Sequence, residues 1–263
     1  MRNAFIGSIL VPVVFACSVI LLAQTAKQSG AVKSTPELSG TWNRSGGRTA
    51  AGTFDDDAGG VPFLGFTKQE PSLQPSAMEI YQANRKGITD PRLKGRDDSD
   101  PSNSCFPPGP TRIFTVPRPF EIRQTAGVVY ILSEMDHWVR RIYVDGREHP
   151  DGYPSTWMGH SIGKYDGNTL VVDTVSVNDS TWIDTLGHPH SDALHLVERI
   201  RRLNHDNLEI EVTFEDPKAY TRPWTGKKVY QLQSPSYEFK EDVICEEYRK
   251  PGLRNDGFEF IKP

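Results

Sequence analysis

From residue 112 onward, apolar and polar positions alternate in short runs separated by turn residues, which is the period of β-strands. Residues 120–124 and 128–132 flank a turn at Ala126-Gly127. Residues 139–144 run into Asp145-Gly146 and residues 160–165 into Asp166-Gly167, a dipeptide that readily supplies the positive φ of tight hairpins. Further strands are predicted at 170–177, 194–203, 208–214 and 227–232. No long helical period interrupts them, and the pattern predicts an all-β, antiparallel protein, most simply a closed or partly closed barrel.

One hairpin can be read to the residue. Leu208, Ile210, Val212 and Phe214 alternate with Glu209, Glu211 and Thr213, giving a strand with one apolar face. The strand before it carries Leu194, Leu196, Glu198 and Ile200 on one face and His195, Val197, Arg199 and Arg201 on the other. A four-residue loop would turn Arg199 and Arg201 onto the apolar face. A three-residue loop, Asn204-His205-Asp206, instead sets Arg201 opposite Glu209 and Arg199 opposite Glu211 in water. Burying an unpaired Arg costs more than losing a preferred turn, so the second register is expected. Glu198 then points inward, where it must find a partner, neutralise or face a wet cavity.

The first part of the mature chain is looser. Residues 27–110 are rich in Gly, Ser, Asp and Pro, with an entering strand at 38–42 and a short helix opened by the capping box Ser76-Ala77-Met78-Glu79 and running to Gly87. This loop-rich extension is expected to pack on a barrel formed by residues 111–263 as one domain. We find no internal repeat.

Residues 1–26 change the picture of where the protein works. Arg2 precedes an uncharged apolar run over residues 4–22 that ends near Ala23-Gln24-Thr25-Ala26, the layout of a cleavable secretory signal. A membrane anchor competes, but Pro12 interrupts the run and no basic stop-transfer cluster follows. Lipoprotein processing at Cys17 competes less well, because the apolar stretch continues past it. The expected location is periplasmic or secreted, with no stable membrane insertion after cleavage. Cys105 and Cys245 are then the two cysteines left, and in an oxidising compartment such a pair most often forms a disulfide, buried thiols or a reactive thiol being the alternatives. A formal charge of −4, with basic and acidic residues interleaved, gives no footprint for nucleic acid. A small-molecule ligand or substrate is the expected partner.

Cys105-Phe106-Pro107-Pro108-Gly109, residues 157–163, residues 187–195 and Ile244-Cys245-Glu246-Glu247 together resemble a group of uncharacterised exported proteins of soil bacteria, a likeness that brings no activity with it. Gly40-Thr41-Trp42 is similar to the first-strand Gly-x-Trp of lipocalins, where the Trp closes the barrel floor; the resemblance implies a lipocalin-like barrel.

Candidate chemistry gathers where four of the seven histidines lie, from His160 to His195. His188, His190 and Asp192 would put three ligand-type side chains on one side of an extended segment, a candidate site for a divalent metal such as zinc; turn formation by the same residues is the alternative. The segment resembles the His-x-His-x-Asp-His motif of metallo-β-lactamase-like hydrolases, but Ala193 replaces the final His, and Pro189 and the β context set that family aside. A metal-free site is equally open: a two-residue loop at Asp166-Gly167 would face His160 with Asp173 for acid–base work, and a three-residue loop would separate them. We expect His188, His190 and Asp192, with His160 and Glu198, to border one pocket at the barrel rim, and take His160, Asp173, His190 and Glu198 as catalytic candidates. No Gly-x-Ser-x-Gly, phosphate loop or dinucleotide fingerprint occurs. Two functions follow: an exported hydrolase, lyase or isomerase using the His/Asp/Glu cluster at the barrel mouth, or a lipocalin-like carrier whose cavity is lined by Trp42, Trp157, Trp182 and Phe214.

Overall fold

The structure is a computed structural model that describes residues 35–44, 56, 60–62, 64–89, 100–240 and 245; the signal sequence read at residues 1–26 lies outside them. Nine strands, β1(Gly40–Arg44), β2(Phe120–Gln124), β3(Val128–Ser133), β4(Val139–Tyr143), β5(His160–Asp166), β6(Thr169–Val175), β7(His195–Asn204), β8(Asn207–Glu215) and β9(Trp224–Leu232), close into a barrel in sequence order. Among the described residues the one α-helix, α1(Pro75–Thr89), begins with Pro at a first-turn position that needs no N–H, so Ser76 lies inside the helix and does not cap it, and Gly87 does not end it. Its buried positions Ala77, Tyr81 and Asn84 form one stripe. Among the described residues no helix is long and apolar enough to cross a membrane.

Every neighbouring pair is antiparallel except β4 and β5, which run parallel through Ile142↔Ser161 and Tyr143↔Ile162. This corrects the purely antiparallel expectation, and the reason is parity: strands alternating in direction cannot close a ring of nine. A parallel pair needs a long crossover, and residues 144–159 supply it. The crossover re-enters the sheet at Gly159, whose φ of +65° and approach to Val175 O, 2.6 Å from where a Cβ would stand, admit only glycine. The barrel is also not confined to residues 111–263, since β1, from the loop-rich segment, closes it between β2 and β9.

Side chains fill the interior. Trp42, Phe120, Ile122, Ile131, Ile142, Leu170, Val172, Leu196, Ile200, Leu208, Ile210, Val212, Phe214 and Tyr230 are buried there by strand alternation. The β2–β3, β5–β6 and β7–β8 turns lie at one end, and described residues of the connections, Phe66 among them, cover the other. From that cover Phe66 lies against Gly226 of β9, where a Cβ would meet its own at 2.4 Å, and packs edge-on against Phe214 at 5.4 Å. The β7–β8 register is the expected one, with Arg199↔Glu211, Arg201↔Glu209 and Glu198↔Val212. Its turn differs: a two-residue loop, His205-Asp206, joins Asn204 to Asn207, and an irregularity between Arg202 and Asn204 absorbs the offset. Cys105 and Cys245 are disulfide-bonded, with Cα atoms 5.5 Å apart.

Candidate functional site

Glu198 points into the barrel and finds a partner there. Arg140 of β4 reaches both carboxylate oxygens, Nη1 at 2.9 Å from Oε1 and Nη2 on Oε2, and also donates to Pro110 O, Ser161 Oγ and Thr174 Oγ1. Both side chains are wholly inaccessible. This is an interior ion pair with both carboxylate oxygens bonded, although the buried Arg140 Nε makes no hydrogen bond among the described residues, and it is out of reach of a rim pocket.

The histidine segment does not converge either. His188 is stacked on Tyr81 at 4.4 Å, with Nδ1 2.8 Å from Asp184 Oδ2 and Nε2 2.8 Å from Glu70 Oε2. An imidazole with a carboxylate at each nitrogen satisfies both by donating twice, as a cation. Burial opposes that charge, but Asp184 and Glu70 outweigh it and raise the pKa to about 9. His190 turns away: its Nδ1 donates to Ser191 O at 3.0 Å and its Nε2 accepts from Thr181 Oγ1 at 2.6 Å, and burial lowers its pKa. Asp192 is in solvent, paired with Lys218. Thus His188, His190 and Asp192 bond in three directions, and among the described residues no three His, Cys, Asp or Glu side chains are arranged to hold a metal ion. The aromatic candidates separate too. Trp157 stacks on Phe106 at 5.0 Å, Trp182 is buried under the Arg112 guanidinium, and Phe214 lies in the barrel against Trp224 at 4.1 Å.

His160 and Asp173 do come together, on the outer wall of the barrel. The β5–β6 turn is Gly167-Asn168, two residues from the expected register, so His160 faces Val175 and Asp173 faces Ile162. A shift of two keeps both side chains on the outer face. His149, carried by the crossover, fills the gap between them: its Nδ1 is 2.7 Å from His160 Nδ1 and its Nε2 3.0 Å from Asp173 Oδ1. From the other side His195 of β7 brings Nε2 to 3.2 Å from Asp173, and its Nδ1 lies 3.1 Å from Glu215 of β8. Strand register alone pairs His195 with Glu215.

No family model, curated protein or solved structure matches the chain. The chemistry therefore rests on these side chains. The bonds are satisfied when His149 Nε2–H donates to Asp173 and His149 Nδ1 accepts from His160 Nδ1–H, which leaves a lone pair on His160 Nε2. Among the described residues nothing hydrogen-bonds that nitrogen. Burial is the largest cause holding the His160 pKa below its ordinary value, which keeps the ring neutral and its Nε2 unprotonated. His195 goes the other way: burial works against its charge, but hydrogen bonds to Glu215 and Asp173 prevail and raise its pKa. The rings of Tyr143 and Tyr153 flank His160 at 5.4 and 4.7 Å.

Sequence reasoning missed His149, Glu215, Tyr143 and Tyr153. Glu215 was within reach, because the β7–β8 register already sets it opposite His195. His149 was not: it lies in a loop, and only the crossover's path brings it to β5.

Proposed function

We propose that the protein is an exported small-molecule enzyme, a hydrolase, lyase or isomerase, that works by general-base catalysis on the outer wall of the barrel. The observation that carries this reading is the relay Asp173–His149–His160, ending in an imidazole nitrogen with no hydrogen-bond partner among the described residues. In this mechanism His160 Nε2 takes the substrate proton, and Asp173, acting through His149, steadies the charge that His160 gains. Proton transfer by a positioned histidine contributes typically 10²–10⁴-fold to a rate. Solvent reaches the Asp173 end of the relay, where the side chain is 43% exposed and that of His149 22%, while His160 is itself 4% exposed, so a substrate would meet only the edge of its ring. The opening of the sequence and the Cys105–Cys245 pair support export. A carrier role has less support, because Trp42 and Phe214 occupy the interior that a carried ligand would need.

The test is depletion of small molecules from an extract of the protein's own compartment, followed by mass spectrometry with the wild type and with Asp173→Asn. A compound consumed by the wild type, and about 100-fold more slowly by the variant, is the expected result. Equal consumption by both proteins sinks the relay, and no consumption by the wild type sinks the enzyme.

A further inference from the structure

We propose that the molecule held at His160 is a small carboxylate, bound through Arg147. This rests on the general-base reading of His160 and adds the substrate class. The crossover that delivers His149 also delivers Arg147, two residues earlier. The Arg147 guanidinium carbon lies 3.8 Å from the centre of the Tyr143 ring, and the same ring stacks on His160 with planes 26° apart. Tyr143 is thus a shared platform that sets a base and a fixed cation in one neighbourhood.

Arg147 is only partly committed. Asp145 takes its Nε at 2.9 Å and also its Nη2, while among the described residues Nη1 makes no hydrogen bond. The guanidinium side chain is 44% exposed. One donor edge is therefore anchored and oriented, and Nη1 is open to an incoming acceptor. A planar carboxylate matches guanidinium donors in geometry and charge.

The surroundings favour a monoanion over a phosphate. Asp145 offsets much of the Arg147 charge, and Asp173 and Glu215 add negative charge along the same wall. Phosphate sites usually gather several cations or a row of backbone N–H groups. Here directed hydrogen bonding from one guanidinium does the binding, beside a neutral imidazole that does not repel the anion.

The experiment is an NMR titration of the mature protein, labelled on histidine and arginine, with sodium propionate at constant ionic strength. Propionamide and methyl phosphate serve as comparison probes. Wild type is expected to show saturable shifts at the His160 ring and the Arg147 Nε–H with propionate. Propionamide should leave both signals unmoved. Arg147→Gln should weaken propionate binding at least tenfold, whereas His160→Gln should keep it within about threefold. Absence of saturation in the wild type, or equal binding by Arg147→Gln, overturns the proposal. Tighter binding of methyl phosphate than of propionate overturns the choice of carboxylate. These outcomes are separable from failure of the base: if Asp173→Asn leaves the His160 titration curve unchanged, the relay is wrong whether or not propionate binds Arg147.

Discussion

Arg140 and Glu198 meet in the barrel interior, hydrogen-bonded at both carboxylate oxygens, with neither side chain accessible to solvent. Removing one member of such a pair strands the other charge in a medium that cannot hydrate it. Glu198→Ala is therefore expected to cost ~3–5 kcal/mol in urea unfolding. Arg140→Met combined with Glu198→Leu should cost less than Glu198→Ala alone, because no charge is left behind. If the double variant is the less stable of the two, the pair stabilises the barrel in its own right.

His188 should set the alkaline limit of stability. Its folded pKa of about 9 stands above the ordinary 6.5, burial being outweighed by Asp184 and Glu70. A raised value means that the contribution is complete below 6.5 and is lost as pH rises through 9. The difference corresponds to about 3 kcal/mol. Thermal melts across this window should fall for the wild type and stay flat for His188→Gln. Parallel curves for the two proteins would show that His188 does not titrate there.

The acid side belongs in part to His190. The sequence places it on an exposed rim, where an alanine would cost ~1 kcal/mol, but the structure buries it between Thr181 and Ser191. His190→Ala removes the partner of a buried hydroxyl and should cost ~1–3 kcal/mol. Burial depresses its folded pKa below 6.5, so its contribution is present above that value and is lost as pH falls through the depressed one. Chemical denaturation at about pH 7 and pH 5 should show the gap between wild type and His190→Ala narrowing in acid. A variant as stable as the wild type at pH 7 would return His190 to the rim.

The interior was legible wherever a charged residue forced the register. Arg199 and Arg201 could not be buried, and that alone turned Glu198 inward. The β5–β6 hairpin offered no such constraint: Asp166-Gly167 and Gly167-Asn168 are both good turns, and the chain uses the second. Nine strand-like segments and strict alternation were already incompatible, yet local pattern does not say which long connection, 144–159 or 176–194, carries the parallel junction. His149 depended on that choice, which is why the sequence shows His160 and Asp173 but not the residue that joins them. The cluster at 188–192 misled for a related reason, since partners outside the segment, Glu70 and Asp184 for His188 and Thr181 for His190, aim the rings.

The parallel junction has a mechanical consequence. β4 and β5 share two paired positions, whereas β7 and β8 share a long ladder, so the wall is most easily unzipped between Tyr143 and Ile162. Tyr143 and His160 ride on the two lips of that slit, and the loop bearing Arg147 and His149 spans it. A small opening there would widen or pinch the space around the His160 nitrogen while the remaining ladders hold their shape. The softest joint of the cylinder is thus also the one whose movement the relay feels first, and exchange of its amide hydrogens would report the breathing directly.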